Sequence, residues 1–132
     1  MGMTVSVEAP PKVVIAHSAA DRGLAALLSK MLSQSGIDVL ASESEEVTPG
    51  TKWVDEIRNR LTRSSMVIFL LTPSAVQSKW LIYEAGAAFA LELPVVVVYD
   101  GIDMTSVPAA LQQFQAVPLS NLDDLIRHLQ TE

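Results

Sequence analysis

The hydrophobic residues of this chain are concentrated in five short runs, several of which are continuous rather than alternating. Continuous apolar runs of this length are typical of strands that are covered on both faces. Because proline cannot donate a backbone hydrogen bond, Pro118 indicates that the last run is an edge strand. The predicted strands span residues 13–16, 37–41, 66–71, 95–99 and 116–119.

Helical patterns fill most of the stretches between these runs, with apolar residues at spacings of three and four. Gly36 stands where a glycine should end the first of these helices. The segment 80–91 is apolar, aromatic or small at every position except Glu84, and it predicts a largely buried helix. The three amphipathic faces consist of Leu24, Leu27, Leu28, Met31 and Leu32; of Trp53, Val54, Ile57 and Leu61; and of Leu122, Leu125, Ile126 and Leu129.

The alternation of strands and helices predicts an α/β fold with a single parallel sheet that is wound on both faces. Five strands favour the flavodoxin-like order 2-1-3-4-5, in which a ligand crevice lies at the carboxyl ends of the central strands. A chain of 132 residues with 49% hydrophobic residues is expected to form one domain. We assign that domain to residues 12–130 and predict a flexible leader at residues 1–11, where Pro10 and Pro11 adjoin.

Charge and composition exclude several classes of partner. The net charge of −6 and the pI of about 4.8 argue against nucleic acid and against an anionic membrane surface. No apolar run approaches the length of a membrane span. The absence of cysteine excludes disulfides and Cys-ligated zinc and is typical of a cytoplasmic protein. With His17 and His128 far apart in the sequence, no metal site is expected.

The candidate chemistry centres on Glu84, the one carboxylate in its apolar helix. A desolvated carboxylate without a partner costs several kcal/mol, so Glu84 either finds hydrogen bonds or opens into a polar pocket, and we favour the pocket. Trp80 lies four residues earlier, on the same helix face. A carboxylate beside an indole suits a flat cationic ring or a ribose. The alternative is a structural carboxylate beside a tryptophan that only packs in the core.

The loops after the strands are the expected positions for further site residues. After the first strand, His17 is interpreted as a hydrogen-bonded core histidine and Ser18 as the N-cap of the first helix, with Asp21 at capping-box spacing from it. A helix N-terminus also binds phosphate, so capping and contact with a nucleotide are compatible. A phosphoreceiver domain needs acidic residues after the first and third strands, where this chain has His17, Ser18, Thr72 and Pro73, and that class is rejected.

Taken together, these motifs resemble the Toll/interleukin-1 receptor (TIR) domain of the bacterial type. The resemblance covers most of residues 12–130 and depends on the order and spacing of several short motifs. These motifs are Val-Ile-Ala-His-Ser at 14–18, Val-Thr-Pro-Gly at 47–50, Trp-Val-Asp-Glu-Ile at 53–57, Leu-Leu-Thr-Pro-Ser at 70–74, Ser-Lys-Trp at 78–80 and Glu-Ala-Gly-Ala-Ala at 84–88.

The resemblance implies an NAD+ nucleosidase that is activated by self-association, in bacterial immune signalling or defence. NAD+ would be the substrate, and no cofactor is expected. By the same resemblance, Glu84 is the catalytic residue and the segment 42–52 mediates assembly with other TIR domains and borders the pocket. A fused or separate sensor domain is a further expected partner. The substrate-binding candidates are Trp80, Ser18, His17, Ala19, Ser42 and Tyr83.

A single carboxylate is sufficient for this reaction. Most glycoside hydrolases need a second acid to protonate the leaving oxygen, whereas nicotinamide leaves a cationic pyridinium as a neutral molecule. One glutamate then stabilises the oxocarbenium-like transition state and holds the ribose hydroxyls. Two alternatives stay open: a TIR module that acts only by protein–protein assembly, and an enzyme that cleaves the N-glycosidic bond of another nucleotide.

Overall fold

The structure is a computed structural model that describes residues 12–43, 66–103, 105, 107, 109–112 and 114–130. Within those ranges, the side chains of residues 40–43, 80, 82–84 and 110 lie outside the description. The predicted leader at 1–11 and the predicted helix between the second and third strands both lie outside the described residues.

Five parallel strands form one sheet in the order β2-β1-β3-β4-β5, so the predicted fold class and strand order are confirmed. Among the described strands, β5 pairs with β4 alone and is an edge strand, as Pro118 predicted. The strands are β1 Lys12–Ala16, β2 Asp38–Glu43, β3 Met66–Leu71, β4 Val95–Tyr99 and β5 Gln115–Pro118.

Three α-helices are present in the described part of the chain: α1 Arg22–Gln34, α2 Lys79–Ala90 and α3 Leu122–Gln130. Short 3₁₀ turns lead into each of them, at Ala19–Asp21, Ala75–Gln77 and Leu119–Asn121. A further 3₁₀ turn, Ala109–Leu111, precedes β5. None of these described helices has both the length and the apolar character needed to cross a bilayer.

The sheet separates two hydrophobic cores because alternate residues of each strand point to opposite faces. Residues Ile68 and Leu70 of β3 pack with α1 and α3 on one face. Residues Val67, Phe69 and Leu71 pack on the other face, which α2 covers. The inner strands are therefore buried on both sides, which is why their sequences are continuous rather than alternating.

Helix α1 ends in a turn that closes on two backbone hydrogen bonds. The N–H of Gly36 donates to the carbonyl of Ser33 at 3.1 Å, and the N–H of Ile37 donates to the carbonyl of Leu32 at 3.0 Å. Gly36 has φ of 85°, which glycine adopts without steric cost. The predicted helix-ending role of Gly36 is confirmed.

Helix α2 ends in a turn of the same type, but the residue in the left-handed conformation is Glu92 rather than a glycine. The N–H of Glu92 donates to the carbonyl of Phe89 at 3.0 Å, and the N–H of Leu93 donates to the carbonyl of Ala88 at 3.1 Å. Glu92 has φ of 56°, a backbone conformation that is unfavourable for a residue with a Cβ atom. Both turns return the chain to the sheet at the amino ends of β2 and β4.

Candidate functional site

The candidate site lies at the carboxyl ends of β1 and β3, which are neighbours at the centre of the sheet. From β1 the chain continues to β2 on one side, whereas from β3 it continues to β4 on the other. At such a switch point the loops that leave the two strands are expected to diverge and to leave a crevice between them. In this fold such a crevice is the usual place for a ligand.

The loop after β1 buries two polar residues, His17 and Ser18, each with 3% of its surface exposed. The Nδ1 atom of His17 is 2.8 Å from the carbonyl oxygen of Ser18. Because a carbonyl oxygen only accepts, Nδ1 carries the hydrogen in this arrangement. The interpretation of His17 as a hydrogen-bonded buried histidine is confirmed.

Ser18 departs from the predicted capping role. It precedes the 3₁₀ turn Ala19–Asp21, but its side chain caps no backbone N–H. Its hydroxyl donates instead to Oδ2 of Asp21 at 2.7 Å, while the backbone N–H of Asp21 donates to the Ser18 carbonyl at 3.0 Å. The side-chain pair replaces the cap because the intervening 3₁₀ turn delays α1 until Arg22.

Asp21 joins the loop after β1 to the loop after β3. The hydroxyl of Thr72, the first residue after β3, donates to the same Oδ2 atom at 2.5 Å. The Thr72 hydroxyl in turn accepts the backbone N–H of Ala75 at 3.2 Å. One carboxylate oxygen therefore accepts two hydroxyl hydrogen bonds, one from the loop after β1 and one from the loop after β3.

A series of short-range hydrogen bonds continues from Thr72 to the start of α2. The N–H of Val76 donates to the Thr72 carbonyl at 3.1 Å, and the N–H of Ser78 donates to the Ala75 carbonyl at 2.9 Å. Ser78 is the N-cap of α2, with its hydroxyl accepting the N–H of Leu81 at 3.3 Å. The first turn of α2 is thus held at the carboxyl end of β3.

Trp80 and Glu84 lie in the first two turns of α2 and are separated by one helical turn. Leu81, Ala85 and Ala88 form the buried side of this helix. The side chains of Trp80, Tyr83 and Glu84 lie outside the described part of the structure, so the predicted pocket at Glu84 stays a prediction.

The other predicted substrate-binding residues lie at the same end of the sheet. Ala19 is half-buried at the start of the 3₁₀ turn after β1. Ser42 is the penultimate residue of β2, opposite Ile15 of β1, and its side chain is outside the description. The predicted assembly loop continues beyond Glu43 into residues that the structure does not describe. The backbone therefore brings these residues to one end of the sheet, and their contacts with a substrate stay predictions.

Sequence reasoning missed the part that Asp21 and Thr72 play in linking the two loops. Asp21 was considered for its spacing from Ser18, and Thr72 as a residue that is not acidic and as a member of the motif at 70–74. A polar residue directly after each central strand is the signal that was available, because parallel strands bring their carboxyl ends together. Among the described residues, no group of three His, Asp or Glu side chains is placed to hold a metal ion.

Solved structures of similar architecture include two metazoan TIR proteins. The TIR domain of the Toll-related receptor TRR-2 from Hydra magnipapillata is 18% identical, with a TM-score of 0.66, over 89% of this chain and 97% of that chain. A TIR-STING receptor from C. gigas is 20% identical, with a TM-score of 0.70, over 96% of this chain and 43% of that chain. At such identities, the likeness establishes the fold alone.

A more distant likeness joins this chain to the sugar isomerase domain of an RpiR transcription factor from Sphaerobacter thermophilus. That domain is 13% identical, with a TM-score of 0.58, over 89% of this chain and 66% of that chain. No curated protein matches the sequence. The family model for the TIR domain matches residues 13–130, which is most of the chain. The chain therefore belongs to the TIR domain family.

Proposed function

We propose that this chain is an NAD+ nucleosidase of the TIR family and that Glu84 is its catalytic carboxylate. The observation that carries the proposal is that Trp80 and Glu84 occupy the first two turns of α2, the helix that follows β3, one of the two strands at the switch point of the sheet. The proposal is also supported by the apolar character of the rest of that helix, where a carboxylate without a role would be costly.

The reaction needs one negative charge near the sugar and no general acid. The bond between ribose C1′ and the nicotinamide nitrogen breaks, and its electron pair neutralises the pyridinium, so nicotinamide leaves uncharged. Water then attacks C1′ and releases one proton, which gives ADP-ribose; attack by an adenine nitrogen of the same molecule gives a cyclised product instead. The Glu84 carboxylate stabilises the positive charge on the sugar and accepts hydrogen bonds from its hydroxyls.

The remaining candidates would surround this centre. Trp80 would stack against the nicotinamide ring, whose positive charge favours an aromatic face. The loop formed by His17, Ser18 and Ala19 would lie along the ribose and phosphates, with Ser42 and Tyr83 completing the pocket. The Ser18 hydroxyl already donates its proton to Asp21. We therefore expect the backbone of this loop, rather than the Ser18 hydroxyl, to contact the substrate.

The test is to incubate concentrated protein with NAD+ and to measure nicotinamide by chromatography. Glu84→Gln keeps the size of the side chain and removes its charge, and we expect the rate to fall at least about 100-fold. Glu92→Gln is the matched control, because it makes the same change at an exposed position beyond the other end of α2. Equal activity of Glu84→Gln and wild type would refute the catalytic role.

Self-association is the proposed activating step, as expected from the family. The specific activity should rise with protein concentration, and it should rise in parallel with the mass measured by light scattering. Constant activity per molecule over a wide concentration range would contradict this part of the proposal. Analysis of the products by mass spectrometry in the same samples separates ADP-ribose from a cyclised product.

A non-catalytic assembly module is the second candidate function. It stays open because a fold can be used for assembly alone, without turnover. Protein that assembles without releasing nicotinamide would support this candidate. Faster release of a base from another nucleotide than from NAD+ would instead support a related N-glycosidase.

A further inference from the structure

We propose that Asp21 is a positioning residue, which acts on catalysis by fixing the start of α2 and therefore the placement of Trp80 and Glu84. This inference rests on the proposed function and deepens it. Asp21 does not belong to α2 and lies 51 residues before Thr72 in the sequence. Its influence on the helix passes through the hydrogen bonds between the loop after β1 and the loop after β3.

The direction of these hydrogen bonds follows from the number of protons on each group. Ser18 and Thr72 each have one hydroxyl proton, and both protons are directed at Oδ2 of Asp21. The Thr72 hydroxyl must therefore use a lone pair for the N–H of Ala75. The carboxylate sets the orientation of the Thr72 hydroxyl, and that orientation holds the turn that leads into α2.

The hydrogen bonds of Asp21 to Ser18 and Thr72 replace the local cap that its position on α1 would allow. Asp21 occupies the N-cap position of α1, where an aspartate usually accepts a backbone N–H of the first turn, yet its side chain makes no such bond. Its Oδ2 atom instead accepts two hydroxyls across the switch point. A charged acceptor makes these hydrogen bonds about twice as strong as neutral ones.

The path from Asp21 to the proposed catalytic helix is short. Thr72 and Ala75 hold the 3₁₀ turn Ala75–Gln77, and the next residue, Ser78, caps α2 through the N–H of Leu81. Residue 80 lies between this cap and Leu81, and residue 84 lies one turn later. A shift of the turn would move both, and a displacement of about 1 Å can reduce the rate about 100-fold.

The experiment compares Thr72→Val with Thr72→Ser. Valine has nearly the same shape but neither donates to Asp21 nor accepts from Ala75, whereas serine does both. We expect Thr72→Val to lower kcat for nicotinamide release about ten- to a hundredfold with KM changed less than about threefold, because orientation rather than binding is lost. Thr72→Ser should restore kcat to within about threefold of wild type.

Asp21→Asn is the second variant, in case Thr72→Val does not fold. Its amide oxygen remains an acceptor without the charge, so kcat should fall about three- to tenfold. Thr105→Val is the matched control, since the Thr105 hydroxyl donates to the carboxylate of Asp103 in an exposed pair that is separate from α2. Equal loss of kcat in Thr105→Val, or unchanged kcat in both Thr72→Val and Asp21→Asn, would overturn the inference.

A second measurement separates failure of this inference from failure of the proposed function. Hydrogen exchange of the Leu81 amide reports on the α2 cap without any substrate, and Leu81 bonds to Ser78 rather than to the substituted residue. We expect faster exchange in Thr72→Val than in Thr72→Ser. If wild-type protein releases no nicotinamide, the proposed NAD+ activity is refuted, and the exchange rates alone test whether Asp21 and Thr72 fix the start of α2. Equal exchange in the two variants would overturn the inference that they do.

Discussion

The two ends of the parallel strands are held by different kinds of interaction. At the carboxyl ends, the carboxylate of Asp21 accepts a hydrogen bond from the hydroxyl of Thr72, 51 residues away in the sequence. At the amino ends, α1 and α2 are each returned to the sheet by backbone hydrogen bonds between residues at most five positions apart. The left-handed residues there are Gly36 and Glu92.

This difference predicts which substitutions should affect the proposed activity and which should affect only stability. A side-chain hydrogen bond between the loops after β1 and β3 depends on particular functional groups, and it joins elements that bear the candidate site. A backbone turn depends on φ and is indifferent to most side-chain chemistry. Substitutions at the carboxyl ends should therefore alter kcat more than stability, and substitutions at the amino ends should do the reverse.

The largest effect on stability is expected from Phe69. It lies in the core beneath α2, which supports both the carboxyl and the amino ends of the strands. Phe69 is a fully buried residue of β3, and Phe69→Ala should lower the free energy of unfolding by about 3–5 kcal/mol. Urea denaturation measures this loss. The same change at Phe89, which is 60% exposed, is the control and should alter stability by less than about 0.5 kcal/mol. Similar losses for both variants would contradict the assignment of this core.

The fold was predictable because its signals are local. The continuous runs of β3 and β4 predicted their bounds, Met66–Leu71 and Val95–Tyr99, without error. The start of β5 was predicted one residue late and its end one residue late, since Leu119 is apolar but belongs to the following 3₁₀ turn. The strand order followed from the alternation of elements and the number of strands.

The candidate site was predictable only as a place in the fold. The location of the site at the carboxyl ends of the central strands follows from topology. The hydrogen-bond partner of the Ser18 hydroxyl does not. A hydroxyl three residues before an acid suggests a helix cap. The Ser18 hydroxyl donates instead to the Asp21 carboxylate, which also accepts the Thr72 hydroxyl from a distant part of the sequence, and that arrangement has no local signal. Glu92 was missed for a different reason, since a glutamate carries no sequence signal for a left-handed conformation.

The next effect in size tests the amino ends through Gly36. A Cβ atom at this residue meets nothing within 4 Å, so the cost of Gly36→Ala comes from φ alone. We expect a loss of about 1–2 kcal/mol in the free energy of unfolding, measured with urea. Nicotinamide release per folded molecule should not change, because the turn lies at the end of the strands opposite the candidate site.

Gly23→Ala is the matched control for this substitution. Gly23 lies within α1, and a Cβ atom there also meets nothing within 4 Å. Because alanine favours the helix over glycine, this variant should gain up to about 0.5–1 kcal/mol. The same chemical change thus has opposite signs at the two ends of one helix. A loss at both positions would show that φ is not the cause.

The smallest effect, at Glu92, tests whether the second turn differs from the first only in its left-handed residue. Glycine removes a strain of about 1–2 kcal/mol at φ of 56° but adds backbone freedom to the unfolded chain, so Glu92→Gly should gain about 0.5 kcal/mol. Glu92→Ala removes the same charge and retains the Cβ atom, so it should leave the free energy of unfolding unchanged. An equal gain in both variants would assign the effect to the charge of Glu92, and the two turns would then differ in electrostatics rather than in backbone strain.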